Sequence, residues 1–147
     1  MKILVGVFVL LLLGSVPSWA VLGEYANSVT TDQQRMHAQL RETVRQGYSI
    51  KELSRADGQT VKEYVSPSGR VFAITWKGPF MPDLQQLLGS YYGQMQQAAQ
   101  NHRKRRGPLV IRSKDLVLAS GGHMRSFHGI AYAPKLWPAN VSPEVVH

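Results

Sequence analysis

The 147-residue sequence contains no cysteine. That excludes disulfides, thiolate zinc sites, covalently attached c-type haem and thiol nucleophiles. It also excludes the lipid anchor of a bacterial lipoprotein, which is carried on a cysteine. Acidic side chains are scarce, nine against seventeen Lys and Arg, for a formal net charge of +8. They are scattered, with no adjacent pair placed for acid–base work. No apolar run reaches the roughly 20 residues that a membrane-spanning helix requires. Motifs of hydrolases, zinc proteases and nucleotide-binding proteins are missing as well. Gly89-Ser90-Tyr91-Tyr92-Gly93 has the wrong spacing for a nucleophile elbow and falls inside a predicted helix. No groove-reading helix or RNA-binding aromatic signature occurs, so specific nucleic-acid recognition is not expected.

What is present begins with an export signal. Lys2 supplies a short positive start, residues 3–13 are apolar apart from Gly6, and Gly14, Ser15 and Pro17 follow. Ser18-Trp19-Ala20 then has small side chains at −3 and −1 of a cleavage site. The expected division is a cleavable signal over residues 1–20, one domain over 21–133 and an extended C-terminal tail over 134–147. Without a twin arginine, the general secretory route is the simpler expectation, leading to the periplasm or beyond it. Cleavage removes Lys2 and leaves Val21 to His147 with a charge of +7 and no stable membrane span.

Residues 21–30 show no period and read as a loosely held arm. Thr31-Asp32-Gln33-Gln34 has the spacing of a capping box. Met36, Leu40 and Val44 recur every four residues, which predicts a short helix, with an extended conformation over 40–44 as the alternative. Residues 48–53, 60–65 and 70–76 are rich in β-branched and aromatic side chains. Asp57-Gly58 and Ser66-Pro67-Ser68-Gly69 separate them as turns, so they predict an antiparallel meander.

Pro82 and Asp83 suit the start of a helix, in which Leu84, Leu87, Leu88, Tyr91, Met95 and Ala98 trace one face. Gly107-Pro108 ends it. Residues 109–111, 116–119 and 124–132 predict further strands, with Ser120-Gly121-Gly122 as a turn or bulge. The fold class is α+β: an antiparallel sheet, meander plus C-terminal strands, packed against one long amphipathic helix.

Several strings resemble a known family. They are Glu63-Tyr64-Val65-Ser66-Pro67-Ser68-Gly69-Arg70-Val71-Phe72-Ala73, Trp76 with Gly78-Pro79, and Pro82-Asp83-Leu84. Leu87-Leu88-Gly89-Ser90-Tyr91 and Ser120-Gly121-Gly122-His123-Met124-Arg125 complete the set. The sequence is similar along nearly its whole length to the bacterial family designated domain of unknown function (DUF) 2844. The resemblance implies a small exported bacterial protein and carries over no catalytic residue.

Two constellations are candidate sites. Arg103, Lys104, Arg105 and Arg106 form a basic cluster suited to an anionic envelope polymer. The same cations also complement the negative end of the long helix, which accounts for their placement without a partner. His123, Arg125 and His128 form a candidate pocket around the glycine pair. His102, His123 and His128, with Met124, suggest a soft metal site. A regular strand over this segment places His123 and His128 on opposite faces, so no metal and no cofactor is assigned. Gly89 and Gly93, four apart, suit either a close helix–helix contact, as in a dimer, or close packing of the helix on the chain's own sheet, and the second is the expectation.

The leading expectation is a non-enzymatic exported binding protein of the cell envelope. The alternatives are a metal-binding protein or small enzyme centred on the Gly-Gly-His-Met-Arg turn, and a structural partner in an envelope assembly.

Overall fold

The turn signals fall where the chain reverses. In the computed structural model, which describes residues 21–26, 38–102 and 107–147, four strands form the meander. They are β1 (Gln39–Arg45), β2 (Tyr48–Ser54), β3 (Thr60–Val65) and β4 (Val71–Gly78). Gly47, Gly58 and Gly69 sit in the three turns at φ of 84°, 89° and 82°, a region closed to most side chains. Three more strands follow: β5 (Leu109–Arg112), β6 (Val117–His123) and β7 (Ser126–Tyr132). The order is β1-β2-β3-β4-β7-β6-β5, with every pair antiparallel. The chain therefore leaves the sheet after β4, crosses to the far edge and works back inward until β7 joins β4.

Two expectations are corrected here. Residues 39–45 form β1 instead of continuing a helix; Thr31 to Met36 lie outside the described residues. Positions 40 and 44 share a face in a strand as readily as in a helix, because any period of four is also a multiple of two. Leu40 pairs with Leu53 and packs against the core. Likewise Ser120, Gly121 and Gly122 belong to β6, and the chain reverses at Met124-Arg125, with Arg125 at φ 62°. Gly122 is demanded by its φ of 127°, and a Cβ there would run into the Ser126 carbonyl.

The crossover is helical. It comprises α1 (Leu84–Leu88), a 3-10 turn (Gly89–Tyr91) and α2 (Tyr92–His102). Asp83 is the N-cap, its side chain accepting a hydrogen bond from the Gln86 amide at 3.1 Å. Leu87, Leu88 and Met95 are buried against Leu53, Val61, Val71, Ile74, Trp76 and Leu118.

Residues 21–26 are not the loose arm expected. Leu22 is buried, and its amide donates to the Leu87 carbonyl at 3.0 Å. Gly23 and Ala26 donate to the Val71 and Gly69 carbonyls, both at 2.9 Å. One anchoring leucine leaves no period for a sequence to show.

This docking also settles one of the two helix glycines. Gly89 has φ 50°, and the Val21 side chain fills the place a Cβ would take. Gly93 has nothing within 4 Å of that place. Gly93→Ala should therefore stabilise the fold by about 0.5–1 kcal/mol through helix propensity. Gly89→Ala should destabilise it. Urea unfolding of both variants reads the difference; a destabilised Gly93→Ala would show that something covers this position.

The second face of the sheet carries Tyr48, Ile50, Tyr64, Phe72, Ile130 and Tyr132, and residues 134–147 pack across it. Expected as an extended tail, these residues include two 3-10 turns, Pro134–Leu136 and Pro143–Val145. Trp137 meets Phe72 and Tyr132 edge-on, with centroids 5.0 and 5.2 Å away. Its Nε1 donates to the Val141 carbonyl at 2.8 Å. The Tyr64 hydroxyl donates to the His147 carbonyl at 3.0 Å and accepts from its amide at 3.3 Å. Lys135 and Asp115 meet at 2.6 Å, and this hydrogen bond, with the opposite charge behind it, raises the lysine pKa. The sheet is thus sandwiched between helix and tail.

Candidate functional site

The predicted histidine pocket lies on the β6–β7 hairpin. Gly121 pairs with His128 and His123 with Ser126. Cross-strand partners share a face, as do residues two apart on one strand, so His123 and His128 point to the same side. The expectation of opposite faces is overturned, because it assumed one continuous strand where the chain turns back. The His128 ring lies close to Gly121, with Nε2 3.7 Å from where a Cβ would stand. His123, Arg125 and His128 are all exposed. Two imidazoles are half of a tetrahedral ligand set, and among the described residues no group of three or more His, Cys, Asp or Glu converges. Gly121, Gly122 and His128 line a cavity of about 660 Å³, whose lining does not include His123 or Arg125.

The basic cluster Arg103, Lys104, Arg105 and Arg106 lies outside the described residues. Its two flanks are described and they touch: a His102 ring nitrogen is 3.2 Å from the Gly107 carbonyl oxygen. This contact joins the C-terminal end of α2 to the segment that leads into β5.

A third location went unread in the sequence. Leu53, Val61 and Leu87 form the floor of a cleft of about 480 Å³. The β2–β3 turn makes one wall and the connection into α1 the other. The turn is internally braced: Arg55 and Gln59 share a backbone hydrogen bond of 2.9 Å, Asp57 accepts from the Gln59 amide at 3.0 Å, and Arg55 and Asp57 form an ion pair of 3.0 Å. On the opposite wall, Phe80 and Met81 are 59% and 43% exposed. Two large apolar side chains therefore stand open to solvent beside an apolar floor.

Gln59 lines the same cleft and is only 6% exposed. Neither its Nε2 nor its Oε1 has a hydrogen-bond partner. Its side chain lies against Gly78, where a Cβ would collide with it. The charges at the rim are already engaged, Arg55 with Asp57 and Asp83 with the α1 N-terminus. The one sequence signal for this site was Phe80-Met81 held between Pro79 and Pro82, two large apolar residues in a loop.

Among the described residues no helix is long and apolar enough to cross a membrane. Neither a curated protein nor a solved structure matches the chain. A family model described as "Protein of unknown function (DUF2844)" matches residues 18–146, nearly the whole chain, and the protein belongs to that family.

Proposed function

We propose that this is an exported protein of the bacterial cell envelope that acts by binding, without catalysis, and that Arg103 to Arg106 contact an anionic envelope polymer. The observation that carries the reading is the run of four consecutive cations between His102 and Gly107, residues whose ring nitrogen and carbonyl oxygen lie 3.2 Å apart. Helix-end complementation accounts for cations near the last turn, and its effect fades beyond it; four in succession also supply a concentrated positive charge suited to an anionic polymer. They follow a helix whose outward polar positions, Gln85, Ser90, Gln97 and Gln100, are uncharged.

The test is a salt titration of the chain from Val21 against lipopolysaccharide and against a neutral glycan. Four phosphate contacts should give a log–log salt slope of about −3. Binding should vanish when Arg103, Lys104, Arg105 and Arg106 are all changed to glutamine. Binding that survives this change, or that ignores salt, would return the cluster to helix complementation. Export is tested separately by fractionating cells that express the full chain, where the mature form should begin at Val21. Retention of residues 1–20 in the recovered protein would sink the cleavage.

A further inference from the structure

We infer that residues 21–26 form a latch that sets the order of maturation. Cleavage between Ala20 and Val21 comes first and docking second, and a chain that docks uncut is refractory to the signal peptidase. This rests on the export reading and adds to it an order of events.

Hydrolysis at this site breaks the Ala20–Val21 C–N bond and forms a C–O bond from water. It leaves a carboxylate on Ala20 and an ammonium on Val21. A peptidase takes its substrate extended, with the residues beside the bond open to its groove. On the Val21 side the fold offers neither condition. The Glu24 amide donates to the Val21 carbonyl at 2.8 Å, so residues 21–24 are a tight turn with Gly23, at φ 88°, in its third position. The Leu22 amide is engaged by the Leu87 carbonyl at 3.0 Å, and the residue is 1% exposed. The Val21 side chain fills the place beside Gly89. Beyond the turn, the Glu24 carbonyl accepts from the Val71 amide at 3.0 Å. Ala26 is held from both sides: its amide donates to the Gly69 carbonyl at 2.9 Å, and its carbonyl accepts from Lys51 Nζ at 3.0 Å. The Arg70 guanidinium lies 5.3 Å from the centre of the Tyr25 ring. The docked chain is cut only while the turn and the Leu22 anchor are open, so its cleavage follows the open fraction. Burial of Leu22 alone lowers that fraction about tenfold or more. Every partner named lies within residues 21–147, so the cut chain can make the same contacts.

The experiment uses the full-length precursor made by cell-free synthesis. Detergent-solubilised bacterial signal peptidase is either present throughout or added once the chain resists trypsin. Enzyme present throughout should give a product that begins at Val21. Enzyme added to the folded precursor should cut the same bond at least about tenfold more slowly. Two variants test the latch itself: Leu22→Ala removes the anchor, and Gly89→Ala places a methyl group where Val21 packs. Each should restore cleavage of the trypsin-resistant chain and leave cleavage during synthesis unchanged. Failure to cut at Ala20–Val21 during synthesis would bring down the signal reading and the latch with it. Equal rates before and after folding would overturn the latch alone. So would slow cleavage that persists in both trypsin-resistant variants, since the block would then lie outside residues 21–26.

Discussion

Trp137→Ala should lower the stability of the chain by about 3 kcal/mol, the lower end of what removal of a large aromatic from a packed site costs. Trp137 is the keystone of the second face. It meets Phe72, itself fully buried, and Tyr132 edge-on, and its Nε1 fixes the Val141 carbonyl. Truncation removes the indole area and leaves that carbonyl to find another donor. It also uncouples the tail, because Val141 and Val146 are buried only while residues 134–147 stay against the sheet. Tyr64→Phe is the matched comparison. It keeps the ring and deletes the two bonds to His147, so it should cost about 1 kcal/mol. Urea unfolding of the chain from Val21 gives both values. If Trp137→Ala cost no more than Tyr64→Phe, the tail would be an ornament on a sheet stable without it.

This face shows where sequence reading succeeds and where it stops. The three strands from Tyr48 to Gly78 were legible because their turns carry their own chemistry: Asp57-Gly58 and Ser66-Pro67-Ser68-Gly69 specify a reversal whatever lies beyond. The helix start at Pro82-Asp83 was legible for the same reason, and Asp83 does cap it. The prolines at 134, 138 and 143 were read only as breakers of regular structure. They do break it, but the apolar residues between them still find a surface. Which surface is a long-range fact: Trp137 has no period with Phe72, 65 positions away in the chain.

The cleft was hidden for a related reason. Leu53 and Val61 follow the period of a meander, Leu87 follows the period of a helix, and each is accounted for by its own element. Only the packing of α1 beside the β2–β3 turn brings them together around Gln59. The histidine pair failed in the opposite sense. His123 and His128 are close in sequence, so the reading turned on local geometry, and shifting the turn to Met124-Arg125 reversed the face of one relative to the other. The basic cluster is the one candidate whose chemistry is carried by composition alone.

Gly129→Ala should be a strongly damaging small substitution at the centre of the sheet, at about 3 kcal/mol, the upper part of the range for overpacking. Gly129 pairs with Trp76 across the β4–β7 seam, where the meander joins the C-terminal strands. Without β7 the helix crossover has no sheet to return to. The Trp76 indole occupies the position a Cβ would need, and the Ala119 carbonyl oxygen is 2.9 Å from the same point. Trp76 is 3% exposed and has no free direction in which to withdraw.

A double-mutant cycle separates this clash from a general intolerance of the site. Trp76→Leu alone leaves a cavity, although it also removes an indole N–H that is buried without a partner, so it should cost less than most tryptophan truncations. Combined with Gly129→Ala, the new methyl group enters space the indole has vacated. The pair should then be less destabilised than the sum of the singles by about 1–2 kcal/mol. Additivity within about 0.5 kcal/mol would place the cost of Gly129→Ala on the Ala119 side instead. The strand pairing itself, with no part played by the indole, would then be what demands glycine at the seam.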